Sequence, residues 1–325
     1  MWSNSTRPRR AAWTTERAHR RVRNRSAGGA AMNGSDSVLL ARFVLTRARA
    51  AGLDPVELAR AAGIGSDALD GDPGSIPGQC YPRLWELFER RMESPHVGLL
   101  AAERYGMGEL GMMDYLLATA PTFGEGLRAA GDFGARLTNS RSMRVVAETD
   151  RDLTLAADTG AEGRGSELAA QATFAYLTAR ARLGSGTPVT PRVVTLRQRA
   201  PRHHAPITEF FGTATVEFGA DADLLILRRA DVDLPQHTAN PGLAEVLRRG
   251  AATTVLPAPP ARAWVDLVVT EFDSLPLDHE ALESISLEDM AWRLRISPRT
   301  LQRRLAAAGT SWSRELASAR RRAAW

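Results

Sequence analysis

The segment SPRTLQRRLAAAGTSW, residues 297–312, gathers the side chains of this chain best suited to recognition chemistry. Ser297 suits a helix N-cap, Pro298 the first helical position, and Gly309 the stop. At 100° per residue, Leu301 and Leu305 share one side of the helix. Arg299, Gln302 and Arg303 fall within an arc of about 100° on the other. A guanidinium matches the O6/N7 edge of guanine and a glutamine amide the N6/N7 edge of adenine, so this arc has the chemistry of a DNA major-groove reader. The same spacing also describes an ordinary solvated helix face.

Other chemistry-bearing groups lead nowhere comparable. GMGELG, residues 106–111, fits the dinucleotide pattern G-x-G-x-x-G. That pattern cradles a pyrophosphate only between a strand and a helix, and here the preceding HVGLLAAERY reads as helical. His203 and His204 are adjacent in a loop rich in Arg and Pro, with no Cys or carboxylate at ligand spacing, so no metal is expected. The single cysteine, Cys80, forms neither an internal disulfide nor a CxxC pair, as suits a reducing compartment. There is no G-x-S-x-G and no recognisable Ser/His/Asp arrangement, so neither catalysis nor a cofactor is expected.

Charge supports a polyanionic partner. Residues 1–31 carry eight Arg and one Glu, and residues 286–325 carry nine Arg against three acids, so the net +5 hides a body of −8 between two basic ends. All 42 basic residues are Arg. No run of eighteen apolar residues is present and the first thirty residues lack a secretory apolar core, which points to a cytoplasmic chain with no membrane partner.

The elements that must position the reading helix are legible from periodicity. Residues 1–36 have no apolar period and are expected to be a disordered basic arm, either a nonspecific nucleic-acid tether or an extension upstream of a start at Met32. Helices are expected from Val38 to Leu137, including VLLARFVLTRARAAG, and DPVELARAAG with Asp54 as its cap. MRVVAET and DLTLAAD read as a hairpin, followed by a helix at SELAAQATFAYLTARARLG and strands in PRVVTLRQ, TATVEFG and DLLILRR. Residues 236–285 read as a linker with short helices, stiffened at VLPAPPARAW. The expected class is α+β, with a mostly helical N-terminal part carrying a small mixed α/β portion and an all-α C-terminal unit. In that unit Ser286 and Asp289 form a capping-box-like start three residues apart.

SLEDMAWRLRISPRTLQRRLAAAGTSW resembles the first helix-turn-helix of AraC/XylS-type transcription regulators. ARAAGLDPVELARAAGI, IPGQCYPRLWELF and GELGMMDYLLATAPTFGEGLRAAGDF resemble the arabinose-binding-type effector domain of that family. The resemblance implies an effector-binding and dimerising domain over 38–235 and a DNA-binding unit over 286–325, with a small-molecule effector, promoter DNA, a second copy and RNA polymerase as partners. The family's groove-facing positions fall on Arg299, Gln302 and Arg303, whereas no motif fixes the effector's contacts. Family members carry a second helix-turn-helix on a long helix. SRELASARRRAAW begins that helix and stops, which implies a C-terminally truncated member that binds its operator weakly, with Leu316 and Trp325 short of apolar cover.

Overall fold

The structure, a computed structural model, describes residues 34–70, 74–103, 105–159, 162–212, 215–275, 282 and 284–323. The basic arm up to residue 33 and Trp325 lie outside them. The arm expected over 1–36 ends sooner than its composition suggests. Ser35–Ser37 is a strand, β1, paired antiparallel with β2 (Ser75–Pro77), and Asp36 is wholly buried. Sequence periodicity overlooks strands this short because three residues show no alternation.

The apolar runs fold as their period predicts. The Ser37 hydroxyl accepts from the Leu39 amide to start α1 (Val38–Ala50), and Asp54 accepts from Val56 and Glu57 to start α2 (Pro55–Ala61). Gly63 follows at φ +79°, and a Cβ there would meet Leu267 Cδ1 at 2.7 Å. Both the backbone turn and the close approach of a later helix therefore require glycine at this position. A short α3 (Ser66–Asp70) and the longer α4 (Cys80–Met92) follow, the latter burying Leu84, Trp85 and Phe88. HVGLLAAERY, expected as an α-helix, forms only a 3₁₀ turn over Leu99–Ala102. It has no side-chain cap, and Gly98 is pressed so close to Gln171 that a Cβ would lie 2.4 Å from its Oε1. Packing overrides propensity there. Then come α5 (Met112–Thr119) and α6 (Phe123–Leu137), whose cap is the Thr122 hydroxyl.

The predicted hairpin is β3 (Ser142–Glu148) against β4 (Asp152–Asp158), antiparallel with a bulge between Val145 and Ala147. After α7 (Arg164–Ser185) the chain adds β5 (Val193–Leu196), α8 (Ala205–Phe211), β6 (Val216–Phe218) and β7 (Asp223–Arg228). The five-stranded sheet runs β3-β4-β7-β5-β6, antiparallel except for the parallel β5–β6 pair. Helix α7 is buried along most of its length, between the sheet and α4, and with the sheet's inner face it forms the main core. The short α9 (Arg229–Val232) and α10 (Pro241–Thr253) close the far side. The last helices are α11 (Ala261–Asp273), α12 (Leu287–Arg293), α13 (Pro298–Ala307) and α14 (Trp312–Ala323). The fold is α+β, as expected, and its C-terminal helical part fits a helix-turn-helix module.

Candidate nucleic-acid interface and an apolar cavity

The terminal unit is assembled from local signals. Ser286 accepts from the Asp289 amide at 3.0 Å while the Asp289 carboxylate accepts from the Ser286 amide at 3.0 Å, a complete capping box that starts α12. Ser297 accepts from the Thr300 amide at 3.2 Å and starts α13. Between them Arg295 takes a left-handed backbone at φ +53°, unusual for a side chain with a Cβ, and its guanidinium donates to the Glu162 carbonyl. Met290, Ala291, Leu294, Leu301 and Leu305 are buried. Their partners include α11, which the sequence places in a linker: Trp264, Leu267, Val268 and Phe272 are buried, and α11 packs against α12, α13 and α14. The Arg304 guanidinium lies 4.7 Å over the Trp264 ring, and burial lowers its pKa. Trp312 stacks on Phe272 at 5.4 Å. Leu316, expected to lack cover, is half-buried against the same core, because α11 supplies the surface.

Arg299, Gln302 and Arg303 are all exposed on α13, opposite the buried Leu301 and Leu305. None of the three is held by a hydrogen bond or ion pair to the described residues, so the fold brings them together and leaves their donors open. Trp292 on α12 stands 80 % exposed. Sequence reasoning passed over it, because exposure of one tryptophan has no local signal.

The remaining sequence candidates are accounted for by packing. The amides of Gly108 and Leu110 both donate to Asp114 Oδ2 at 2.9 Å, and that of Gly106 donates to Glu109 at 2.9 Å. The amides of 106, 108 and 110 thus spend on Glu109 and Asp114 the donors that a pyrophosphate would need, and among the described residues the element before this loop is the 3₁₀ turn and not a strand. His203 and His204 are exposed, with His204 edge-on to Phe218 at 5.6 Å. Among the described residues no group of three or more His, Cys, Asp or Glu is placed to hold a metal. Cys80 is buried with its thiol toward the Gly63 carbonyl, and burial pushes its pKa up, so it is a poor nucleophile.

Two cavities adjoin each other in the body. One, of about 110 Å³, is walled mainly by apolar side chains of α1, α5, α6, the hairpin and α7, among them Leu40, Met113, Leu137, Met143 and Leu177. Tyr176 is at its edge, donating to Asp114 Oδ1 at 2.6 Å, and burial together with that carboxylate raises its pKa well above the usual phenol range. The second, of about 410 Å³, lies where α4 and the hairpin face α11 and the α12–α13 turn, lined by Arg83, Arg90, Arg293 and Arg295 with Glu86 and Glu271. Three contacts tie the terminal unit to the body across it. Glu271 takes Arg83 on one oxygen and Arg293, at 3.0 Å, on the other; Gln79 Nε2 donates to the Leu294 carbonyl at 3.0 Å; and Arg295 reaches Glu162.

The model of the N-terminal arabinose-binding domain of AraC transcription regulators matches residues 52–236. The match spans more than half of the chain, and the chain belongs to that family. The crystal structure of the transcriptional regulator CdpR from Pseudomonas aeruginosa is similar at 18 % identity and a TM-score of 0.47, over 87 % of this chain and 83 % of that one. No curated protein matches significantly. No helix among the described residues is long and apolar enough to cross a membrane.

Proposed function

We propose that the chain is a transcription regulator that binds DNA through α12, its turn and α13, and that responds to a small-molecule effector held in the apolar cavity. The observation that carries this reading is the set of three open side chains, Arg299, Gln302 and Arg303, facing away from a packed helix-turn-helix core. Family membership over residues 52–236 supports the sensing role. In this reading the effector domain spans 38–235 and the DNA-binding module 286–325, with α11 of the intervening 236–285 packed into the module's core. The regulator acts in the cytoplasm, without catalysis, as a homodimer that contacts RNA polymerase. Exposed Leu243 and Val246, three residues apart on α10, offer a self-association face.

Fluorescence anisotropy of the full chain on DNA from its own upstream region, with scrambled DNA as competitor, tests the reading. Arg303→Ala or Gln302→Ala should each cost about 1–3 kcal/mol on the specific site and little on random DNA. Equal losses on both would make the three residues phosphate contacts and overturn the base-reading assignment. Complete absence of site preference would favour the alternative, a ligand-binding, dimerising protein that modulates intact paralogues without reading DNA itself.

A further inference from the structure

Most polar side chains that line the apolar chamber are already bonded within the protein. The Thr138 hydroxyl donates to Asp36 Oδ1 at 2.5 Å, the Tyr176 hydroxyl to Asp114 Oδ1 at 2.6 Å, and the Thr173 hydroxyl to the Ala169 carbonyl at 2.8 Å. Thr159 Oγ1 accepts from Arg197 Nη2 at 2.9 Å. Arg141 gives Nε to Asp36 Oδ1 at 3.0 Å, and Nη2 to Asp36 Oδ2 at 2.5 Å and to the Gly78 carbonyl at 3.0 Å; its Nη1 is buried out of reach of an occupant. The guanidinium on this wall is therefore neutralised from behind. That leaves the hydroxyls of Tyr81 and Ser142 and the carboxylate of Asp158, which has a partner of its own and stands opposite Ser142 in the β3–β4 ladder. Among the described residues, no cation with an open donor lines the chamber, and its one remaining charge is negative.

The other walls favour a flat apolar body. Phe43 and Tyr176 meet edge-to-face at 6.4 Å, a corner into which a third ring packs by the same geometry. Met113 and Met143 add two thioethers, which make favourable contacts with ring edges and adapt to the shape they meet. Leu110, Leu137 and Leu177 complete the lining with branched carbons. Apolar cavities of ~150 Å³ hold benzene, so about 110 Å³ with an opening suits one six-membered ring and a small substituent.

Resting on the proposed sensing role, we infer that the effector is an uncharged monocyclic aromatic molecule whose ring packs among Phe43, Met113, Met143 and Leu177. Its substituent is apolar or a single hydroxyl, for which Ser142 and Asp158 offer acceptors. A charged head gives up its water on entry and meets no available counter-ion, whereas an uncharged ring loses little and gains the full apolar contact. A rigid ring also has few rotamers to lose on binding.

Isothermal titration calorimetry of the full chain at pH 7, without DNA, tests this with toluene, benzyl alcohol, benzoate and benzylamine. The four share one ring and differ in the head, which is apolar, hydroxyl, anionic or cationic. Each uncharged compound should bind at least about tenfold more tightly than each charged one. Ala172→Leu, which fills the chamber from α7, should weaken toluene by about tenfold or more. If that variant does not melt cooperatively, Gly134→Ala replaces it: the added methyl meets Met113 Cε at 3.4 Å, the end of a flexible side chain, and should weaken toluene by about threefold or more. Failure of toluene to bind, a ratio of uncharged to charged affinity below tenfold, or toluene affinity unchanged in the folded variant would each overturn the inference. Because DNA is absent from the titration, a failure of operator binding leaves this result standing, and a negative titration leaves the DNA-reading test untouched.

Discussion

Replacing Glu271 with alanine should loosen the joint between the body and the terminal helices, and the cost is set by the burial of its partners. The Glu271 side chain is 12 % exposed, that of Arg83 19 % and that of Arg293 34 %. Removing one partner of a fully buried ion pair costs about 3–5 kcal/mol, because the other charge is left without compensation. An exposed pair is worth 0–1 kcal/mol. The Arg83 arm sits nearer the first limit and the Arg293 arm nearer the second. Burial already pushes the Arg83 pKa down, so the Arg83 cation loses support when its carboxylate goes. Discounted for the water that still reaches the pair, the loss is about 2 kcal/mol, or roughly 4–8 °C at 2–4 °C per kcal/mol. Glu271→Gln retains an acceptor and should lose about half as much. Urea unfolding of the full chain, followed by tryptophan emission and by calorimetry, measures it. A loss below about 0.5 kcal/mol for the alanine variant would refute the placement of Glu271 as the joint's buried counterion.

Two further outcomes follow from packing and protonation. Trp264→Ala empties the centre of the terminal unit and strips Arg304 of its ring, so it should cost about 3–5 kcal/mol and abolish DNA binding, as urea unfolding and anisotropy would show. Burial is the main cause that lowers the His96 pKa below 6.5, so the fold favours the neutral ring. The stability it contributes is complete above pH 6.5 and is lost as pH falls through the lower folded value. His96→Asn should therefore flatten the decline in melting temperature between pH 7 and 5, and an unchanged slope would refute the assignment.

How far the sequence alone reaches is instructive at particular residues. Asp54, Ser286 and Ser297 cap the helices that their spacing predicts, since capping is a local exchange of one side-chain oxygen for one free amide. The α13 face was legible for the same reason: helical period alone sets Arg299, Gln302 and Arg303 against Leu301 and Leu305. The chamber was not. Arg141 is one of 42 arginines, and nothing near it in sequence reveals that Asp36, about a hundred residues earlier, saturates all but one of its nitrogens. Nor does WVDLVVTEF announce that its apolar face covers α13, because a linker helix and a core helix share one periodicity. The 3₁₀ turn at Leu99–Ala102 shows the opposite failure, a helical pattern suppressed by a neighbour that arrives only in the fold.

Gln79 leads to a last prediction, because its side chain joins the body to the turn that precedes α13. Its Nε2 donates at 3.0 Å to the carbonyl of Leu294, which ends α12 and precedes the left-handed Arg295. Leu294 itself is buried, so water replaces that donor poorly when it is lost. Gln79→Ala removes the donor and should cost about 0.5–1.5 kcal/mol, the contribution of one hydrogen bond. Gln79→Glu keeps the length but offers only acceptors to a carbonyl, so it should cost at least as much. Urea unfolding of the full chain measures both. Equal stability of Gln79→Ala and the parent would refute a role for this bond in fixing the turn.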